Sequence, residues 1–329
     1  MSAGIKVGVS IITYNQEDFI AEAIDSVLMQ IADFAFQIVI GDDNSTDSTP
    51  KILERYRENH PDRIRIVSHT QNVGAAQNML DTLSECEGEY IALLDGDDYW
   101  TSPHKLQKLV AVLDAHLKCP MCFHNTQLIF QNGTQPHDFW PPKSQSFFNT
   151  TELLRDSGAI SSATLWRRDT LLHAVAETKA VIIGDKARAI VASQFGDIGY
   201  VAETMSVWRI HQAGSFSNGN QQNIENNIRK STAWFQFYQF IDEYFSGTYN
   251  AVLIPDMILQ HYVMFKAYLR KGEFKACIYH LSSMFFSRAN LGTREISSIF
   301  VPFLVMLKLL AVDLMRMPAM SMKLIRAFR

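Results

Sequence analysis

The sequence predicts an α/β protein built around a mostly parallel sheet flanked by helices, and three observations support this fold class. Short, β-branched apolar runs alternate with segments whose apolar residues recur at helical spacing, which is typical of βαβ units. Two of these runs end abruptly on carboxylates, and open α/β sheets place their functional groups at the carboxyl ends of strands. Hydrophobic residues make up 47% and charged residues 19% of the 329 residues, which indicates a globular protein with a large core.

The first predicted strand is Val7 to Thr13, whose apolar and β-branched composition is typical of a strand covered on both faces. Tyr14 and Asn15 follow it, and we expect Asn15 to cap the next helix. The apolar positions of that helix are Ile20, Ala23, Ile24, Val27 and Leu28.

The second predicted strand is Phe36 to Ile40, which leads into Asp42 and Asp43. Thr49 stands directly before Pro50, and this pair predicts a capped helix with proline in its first turn. Two further carboxylates are therefore expected at the same edge of the sheet as the end of the first strand.

The third predicted strand is Ile64 to Val67, followed by a turn at Asn72 to Gly74. A helix through Met79 and Leu83 then returns the chain to a fourth strand that begins at Tyr90. Strands that alternate with helices at this interval predict right-handed crossovers in a parallel sheet.

The fourth strand ends on three carboxylates, Asp95, Asp97 and Asp98, arranged around one glycine. So close a cluster is costly unless a cation neutralises it, and hard oxygen ligands suit Mg²⁺ or Mn²⁺ together with a substrate's phosphates. The alternative is a solvated turn in which Asp97 or Asp98 only caps the helix that starts near Pro103.

Several classes of function are disfavoured by the sequence. The formal charge of -4 and the pI near 6.2 give no basic footprint for nucleic acid. No glycine-rich dinucleotide fingerprint and no P-loop pattern occurs. The four cysteines lack zinc-ligand spacing, so we expect free buried thiols and a reducing cytoplasm, and residues 1–10 do not have the pattern of a secretory signal.

Four stretches in the same order and spacing resemble family 2 glycosyltransferases of the GT-A fold, and the resemblance covers roughly residues 5 to 215. The stretches are Val9 to Asn15, Ala23 to Gln30, Ile38 to Asp47 and Gly88 to Asp98. The resemblance implies an inverting transferase that uses a nucleotide-diphospho-sugar and a divalent cation, Mg²⁺ or Mn²⁺.

By position, the resemblance also implies roles for individual residues. Asp43 would hydrogen-bond the base, Asp95 would lie near the ribose and the metal, and Asp97 would coordinate the metal. His211 would stand beside the metal or the diphosphate, with an ordinary structural histidine as the alternative. The nucleotide-binding set that it implies is Thr13, Tyr14, Asn15, Asp43, Asn72, Gly74, Asn78, Asp95 and Gly96.

The resemblance also implies a carboxylate on the acceptor side. Inverting transfer needs a general base there, and Asp185, at the start of a predicted helix, is the candidate. The alternative is that Asp185 only caps this helix. One departure from the family pattern is Gln77 before Asn78, where many relatives carry an arginine, so the diphosphate charge must be met by other groups.

Three further side chains are candidates for sugar contacts. Trp100 follows the acidic cluster and would either stack on a sugar ring or belong to the core. His124 and Asn125 are expected to end a strand that begins near Cys119, where they would face the acceptor.

The chain is expected to divide into a sheet domain, residues 1–218, and an all-helical C-terminal region, residues 219–329. Apolar residues recur at helical spacing around Trp234 and Phe265, and Lys271 to Glu273 breaks the pattern. The apolar stretch 299–317 contains proline and charged residues, so a full membrane span is disfavoured. Two alternatives remain open for residues 299–329: an interfacial helix on an anionic membrane surface, or a helix that completes a core or a dimer contact.

The sequence therefore predicts a metal-dependent glycosyltransferase of the cytoplasm or of the inner face of the plasma membrane. Its acceptor would be a glycan or a lipid-linked glycan of cell-surface polysaccharide biosynthesis. Two alternatives remain: a sugar-phosphate nucleotidyltransferase, and a non-catalytic scaffold that binds nucleotide.

Overall fold

The computed structural model describes residues 4–130, 135–139, 145–155, 161–210, 224–273, 275–277, 279–280 and 283. The chain divides into two compact units. The first comprises residues 1–180 and 184–212, and the second comprises residues 181–183 and 213–329.

The first unit contains ten strands and seven α-helices within its described residues. The strands are β1 (Val7–Thr13), β2 (Phe36–Asp42), β3 (Ile64–Ser68), β4 (Tyr90–Asp95), β5 (Tyr99–Trp100), β6 (Met121–Phe130), β7 (His137–Asp138), β8 (Phe147–Phe148), β9 (Thr164–Arg167) and β10 (Ile198–Ile210). The helices are α1 (Ile20–Leu28), α2 (Thr49–Asn59), α3 (Ala75–Ser84), α4 (Lys105–Ala115), α5 (Thr150–Arg155), α6 (Arg168–Thr178) and α7 (Gly184–Ala192), and a 3-10 turn spans Ser161–Ala163.

All ten strands belong to one sheet, whose main order is β3-β2-β1-β4-β9-β6-β10-β5. The pairs β1–β2, β2–β3, β1–β4 and β6–β10 are parallel, as the alternation of strands and helices predicted. The short strand β9 runs antiparallel to both of its neighbours, β4 and β6. Since β4 and β6 both run antiparallel to β9, they run in the same direction, and β10 is parallel to β6. The carboxyl ends of β4, β6 and β10 therefore lie at the same edge of the sheet.

The register of the sheet brings the polar strand ends together. Thr13 of β1 pairs with Asp42 of β2, and Ile12 of β1 pairs with Asp95 of β4. Because strand ends at one level of a parallel sheet share an edge, residues that are far apart in the sequence converge there. This edge is the location of the candidate site.

The core explains why these segments form central strands. The apolar residues of β1, β2 and β4 are almost completely buried, as expected for strands covered by helices on both faces. Trp100 is 1% exposed and belongs to this core, so the expectation that it stacks on a sugar is wrong and its alternative holds.

Two of the expected helix caps are wrong. Asn15 does not cap α1, which begins only at Ile20 and has no side-chain cap. Its Oδ1 instead accepts a hydrogen bond from the Thr46 N–H at 2.7 Å, and its own N–H donates to Ser45 Oγ at 2.8 Å. A backbone φ of 51° turns Asn15 toward this neighbouring loop.

Thr49 likewise lies inside α2 and does not cap it. Its Oγ1 accepts a hydrogen bond from the Gln16 N–H at 3.0 Å. These polar side chains join the loop after β1 to the loop after β2, a tertiary contact that competes with local capping.

His124 and Asn125 do not end a strand, because β6 continues to Phe130. Both side chains are buried within the sheet, with 2% and 4% of their surface exposed. The register through β9 nevertheless places Asn125 at the level of Asp95, so their expected position facing the acceptor stays a prediction.

The second unit is helical in its described residues. Its two long helices are α8 (Ile224–Tyr244) and α9 (Asn250–Lys271), and α9 ends at Gly272, whose left-handed φ of 76° forms the C-cap. Among the described residues, no helix is long and apolar enough to cross a membrane. Residues 299–329, including the stretch considered for membrane contact, lie outside the described residues.

Candidate active site

The residues expected to bind the nucleotide begin where β1 ends. Thr13 is 3% exposed, whereas Tyr14 is 46% exposed at the end of the strand. Thr13 Oγ1 donates to Gln16 Oε1 at 2.8 Å, which fixes the loop after the strand. An exposed aromatic ring on a fixed loop is a suitable stacking surface for a planar base.

Asp43 holds the loop before α3 through both of its carboxylate oxygens. Oδ1 accepts the Val73 N–H at 2.6 Å, and Oδ2 accepts the Gly74 N–H at 2.9 Å. The Asn72 side chain donates to the Asp43 carbonyl at 3.4 Å. Asp43, Asn72 and Gly74 are therefore brought together, with a φ of 87° at Gly74 where the loop turns into α3.

Asn78 is placed differently from the other residues that are expected to bind the nucleotide. It is 1% exposed, its Nδ2 donates to the Gly41 carbonyl at 2.9 Å, and its Oδ1 lies 3.2 Å from His69 Nε2. Its side chain thus connects α3 to Gly41, near the end of β2.

The acidic turn after β4 depends on glycine at one position. The Gly96 N–H donates to the Ile12 carbonyl at 2.9 Å, which keeps the turn against β1. A Cβ at Gly96 would lie 2.4 Å from Gln16 Oε1 and 3.0 Å from the Thr13 side chain. Only glycine allows the acidic turn to approach the loop after β1 this closely.

Asp98 is a buried member of the acidic turn, with 1% of its surface exposed. Its Oδ2 accepts a hydrogen bond from Ser162 Oγ, and its Oδ1 accepts the Arg209 N–H at 3.0 Å. Burial, followed by the charges of Asp97 and Asp95, raises the pKa of Asp98 well above its ordinary value. Since α4 has no side-chain cap, the alternative that Asp97 or Asp98 caps this helix is wrong.

Asp95 lies close to the negative charges of Asp97 and Asp185. Desolvation by burial, followed by the charges of Asp185 and Asp97, raises the pKa of Asp95 to about 8, although the charge of Arg188 acts in the opposite direction. Positive charge placed beside such a carboxyl group would favour its ionised form. The charge of Asp185 therefore acts on the acidic turn.

This donor set fits a divalent cation. Asp95 and Asp97 offer carboxylate oxygens on one short turn, and their mutual repulsion would be relieved by Mg²⁺ or Mn²⁺ with further ligands from water and a diphosphate. Among the described residues, no group of three or more His, Cys, Asp and Glu side chains is arranged to hold a metal by itself. His211 lies outside the described residues.

Arg209 contacts the acidic turn from β10. Its Nη1 donates to the Asp97 carbonyl at 2.5 Å, and its Nη2 pairs with Glu22 of α1. The guanidinium lies 4.5 Å from the ring centre of Tyr99 and 5.2 Å from that of Phe19. Arg209 therefore connects β10, the acidic turn and α1.

Asp185 lies in the first turn of α7 and is anchored through one oxygen. Its Oδ1 accepts Ser161 Oγ at 2.8 Å and also pairs with Arg188 Nη2. Among the described residues, no backbone N–H of α7 donates to it, so it does not act as a cap of this helix. Its side chain is 43% exposed, and within the described residues its hydrogen bonds use Oδ1 and not Oδ2.

Arg188 fits beside Asp185 because residue 184 is glycine. A Cβ at Gly184 would lie 2.7 Å from Arg188 Nη1. The ion pair between Asp185 and Arg188 could have been predicted from the sequence, because residues three positions apart are neighbours on the surface of a helix. The sequence carried no signal for Ser161 and Ser162, whose roles arise from tertiary contacts.

Comparison with known proteins adds an independent line of information. Residues 9–172 match the family model described as glycosyl transferase family 2. An uncharacterised protein of Mycobacterium tuberculosis is 34% identical over 203 residues, which are 62% of this chain and 58% of that protein. The match thus spans somewhat more than half the length of this relative.

Two enzymes of known structure share the fold. Poly(ribitol-phosphate) β-N-acetylglucosaminyltransferase TarS of Staphylococcus aureus is 33% identical over 116 residues, which are 34% of this chain and 19% of TarS. The structure of a TarS fragment with UDP-GlcNAc aligns with a TM-score of 0.55 at 17% identity, over 90% of this chain and 89% of the fragment. The mannosyltransferase PcManGT of Pyrobaculum calidifontis, solved with GDP-Man and Mn²⁺, aligns with a TM-score of 0.56 at 17% identity, over 98% and 87% of the two chains.

The sheet order, the acidic turn at the carboxyl edge and the match of residues 9–172 agree with one another. Through this part of its sequence, the chain belongs to glycosyltransferase family 2.

Proposed function

We propose that this protein is a metal-dependent, inverting glycosyltransferase that moves a sugar from a nucleotide-diphospho-sugar to an acceptor hydroxyl. One observation carries the proposal: the partly exposed Asp185, which is anchored by Ser161, lies close enough to the acidic turn for its charge to raise the pKa of Asp95. A donor bound at the turn and an acceptor beside Asp185 would thus meet at one place.

The donor would bind along the ends of β1, β2 and β4. Tyr14 offers its exposed ring to the base, and the loop held by Asp43 closes the side of the pocket. Asp95 and Asp97 would hold Mg²⁺ or Mn²⁺ against the diphosphate. The cation, when bound, would neutralise the charge that builds up on the leaving diphosphate.

Asp185 would act as the general base. Its Oδ1 is already used by Ser161 and Arg188, so Oδ2 is the atom that accepts the proton of the acceptor hydroxyl. The acceptor oxygen then forms a bond to the anomeric carbon while the bond from that carbon to the diphosphate oxygen breaks. The nucleoside diphosphate leaves from the opposite face, so the anomeric configuration inverts.

The acceptor is proposed to be a glycan or a lipid-linked glycan of cell-surface polysaccharide biosynthesis. TarS, to which the chain is similar, is named for transfer to a poly(ribitol-phosphate). We place the reaction in the cytoplasm or at the inner face of the plasma membrane, where nucleotide sugars and lipid-linked acceptors meet. Residues 299–329, with their basic end, are the proposed membrane contact.

The proposal is tested first through donor binding. The melting temperature of the purified protein is measured with UDP, GDP and their sugar conjugates, each with Mn²⁺, with Mg²⁺ and with a chelator. A ligand that binds only the native state raises this temperature by mass action. We expect one nucleotide to raise it in a metal-dependent way, and Asp97→Ala to abolish the rise.

Asp62→Ala, at an exposed position before β3, is the matched control and should keep the full response. Conjugates that raise the melting temperature are then assayed for release of the nucleoside diphosphate with glycan and lipid-linked acceptors. A folded protein that responds to no nucleotide would overturn the donor site. A protein that binds nucleotide in a metal-dependent way but never releases diphosphate would be a scaffold.

A further inference from the structure

The 3-10 turn Ser161–Ala163 connects two acids of the candidate site. Ser161 Oγ donates to Asp185 Oδ1 at 2.8 Å, and Ser162 Oγ donates to Asp98 Oδ2. Both serines are buried, with 4% and 0% of their surface exposed. Two consecutive hydroxyl groups therefore hold one carboxylate on the acceptor side and one on the donor side.

The turn itself is fixed by donors from the segment after the acidic turn. The Ser162 carbonyl accepts a hydrogen bond from Lys105 Nζ at 2.7 Å and another from Trp100 Nε1 at 3.0 Å. Lys105 Nζ also lies 3.6 Å from the Trp100 ring centre. Lys105 is completely buried, and a buried polar group is costly unless it is hydrogen-bonded.

A second contact fixes the other end of the turn. Thr164 Oγ1 donates to the Ser161 carbonyl at 2.8 Å, where the chain enters β9. The two serine carbonyls are thus both engaged, so the backbone of the turn is held against β9 and the segment after the acidic turn. A rigid support of this kind is what a catalytic constellation needs, because small displacements of reacting groups lower rates steeply.

We infer that Ser161 and Ser162 are positioning residues, which set the carboxylate of Asp185 relative to the acidic turn that contains Asp98. The role assigned to Asp185 rests on the proposed function. The geometric part does not, because it concerns only which side chain holds which carboxylate.

The two serines are expected to affect different steps. Ser161 Oγ donates to Asp185 and accepts a hydrogen bond from Arg188 Nη2 at 3.4 Å, and neither partner belongs to the acidic turn. Ser161→Ala should therefore lower turnover roughly 10- to 100-fold while leaving the affinity for UDP or GDP with Mn²⁺ unchanged. Ser162 contacts Asp98, which accepts the Arg209 N–H and thereby joins the acidic turn to β10. Ser162→Ala should therefore weaken metal-dependent nucleotide binding as well as turnover.

The experiment compares Ser161→Ala, Ser162→Ala, Ser161→Thr and the control Ser84→Ala. Ser84 is exposed at the end of α3 and bonds only to the nearby Asp81 carbonyl, so its variant should match the wild type. Nucleotide affinity is measured by titration of UDP and GDP with Mn²⁺, and turnover by release of the nucleoside diphosphate. Ser161→Thr keeps a hydroxyl group and should restore most of the turnover.

Crystal structures of the two alanine variants provide a test that does not depend on activity. We expect the Asp185 carboxylate to leave its position in Ser161→Ala and the Asp98 carboxylate to leave its position in Ser162→Ala. If both carboxylates stay in place in both variants, the positioning role is overturned. An equal loss of affinity and turnover in the two variants would also overturn it, whereas a wild type without transferase activity would count only against the proposed function.

Discussion

Arg209 donates from its guanidinium to the backbone carbonyl of Asp97 at 2.5 Å. The same side chain pairs with Glu22 and lies over the ring of Tyr99. One arginine from the last long strand of the sheet therefore fixes the acidic turn, although the two are separated by 112 residues of sequence. The contact to the carbonyl is 2.5 Å long and largely shielded, because only 15% of the Arg209 side chain is exposed.

Replacement of Arg209 by lysine should weaken metal-dependent nucleotide binding by about tenfold, because lysine keeps the charge but lacks the planar fork and the stacking surface. Glu22→Gln should have a smaller effect, because Glu22 is 54% exposed and such pairs contribute about 0.2–1 kcal/mol. Titration of UDP or GDP with Mn²⁺ measures both variants. Equal effects of the two substitutions would show that the pair with Glu22 is what holds the turn.

Asp185→Asn should remove most of the turnover and leave folding and nucleotide binding intact. Asparagine is nearly the same shape and can still accept from Ser161, but it cannot take up the proton of a hydroxyl group. General-base catalysis contributes about 10²–10⁴-fold, and we expect a loss in this range. Asp197→Asn, at an exposed position before β10, is the matched control for turnover. Retention of full turnover in Asp185→Asn would exclude Asp185 as the base.

Asp43→Asn should destabilise the protein by about 1–3 kcal/mol, because an amide has one oxygen where the carboxylate offers two. One of the Val73 and Gly74 N–H groups would lose its acceptor. Hydrogen exchange at these two amides should accelerate, and urea denaturation gives the loss in free energy of unfolding. Asp33→Asn, at an exposed position before β2, is the control. If the two amides stay protected while nucleotide affinity falls, the carboxylate acts mainly on the base.

Lys105 should make stability depend on pH in the alkaline range. Burial lowers the pKa of Lys105 well below its ordinary value, so unfolding takes up a proton at every pH between the two pKa values. The contribution of Lys105 to stability should therefore be fully present above the unfolded pKa of about 10.4 and lost as the pH falls. The difference in free energy of unfolding between the wild type and Lys105→Met should increase from pH 7 to pH 9.5.

Lys108→Met on the same helix is the control for Lys105→Met, because Lys108 is 39% exposed and pairs with the exposed Glu203. Urea denaturation at several pH values measures all three proteins. A difference between the wild type and Lys105→Met that stays constant with pH would mean that Lys105 remains protonated in the folded protein.

Gly41→Ala should destabilise the protein by about 1–3 kcal/mol, which is typical of overpacking a buried site. The added Cβ would lie 1.9 Å from Thr82 Oγ1 and 2.4 Å from Asn78 Oδ1, both of which are buried. Thermal denaturation measures the loss. Gly4→Ala is the matched control, because nothing lies within 4 Å of its Cβ position. An unchanged melting temperature would show that α3 can move away from β2 without cost.

The sequence by itself determined the fold class and the edge at which the site lies. β1, β2 and β4 are mostly apolar runs that end on polar residues. Any strand that is buried on both faces needs this composition, whichever segments it packs against. The positions of Asp43, Asp95 and Asp185 could be predicted from the sequence, because each of these residues stands at the end of a recognisable strand or at the start of a recognisable helix. The Arg188 pair was also within reach, because its spacing on α7 is local.

Only the tertiary structure decided which side chains hold these acids. Asn15 and Thr49 look like helix caps in the sequence, but the neighbouring loops offer them partners that their own helices do not. Ser162 and Arg209 contact the acidic turn, and Lys105 contacts the Ser162 carbonyl, in each case from a distant segment of the chain. Hydrogen-bond partners of this kind have no sequence period, because they depend on how strands and loops pack in space, and this is why the support of the site could be seen only in the folded chain.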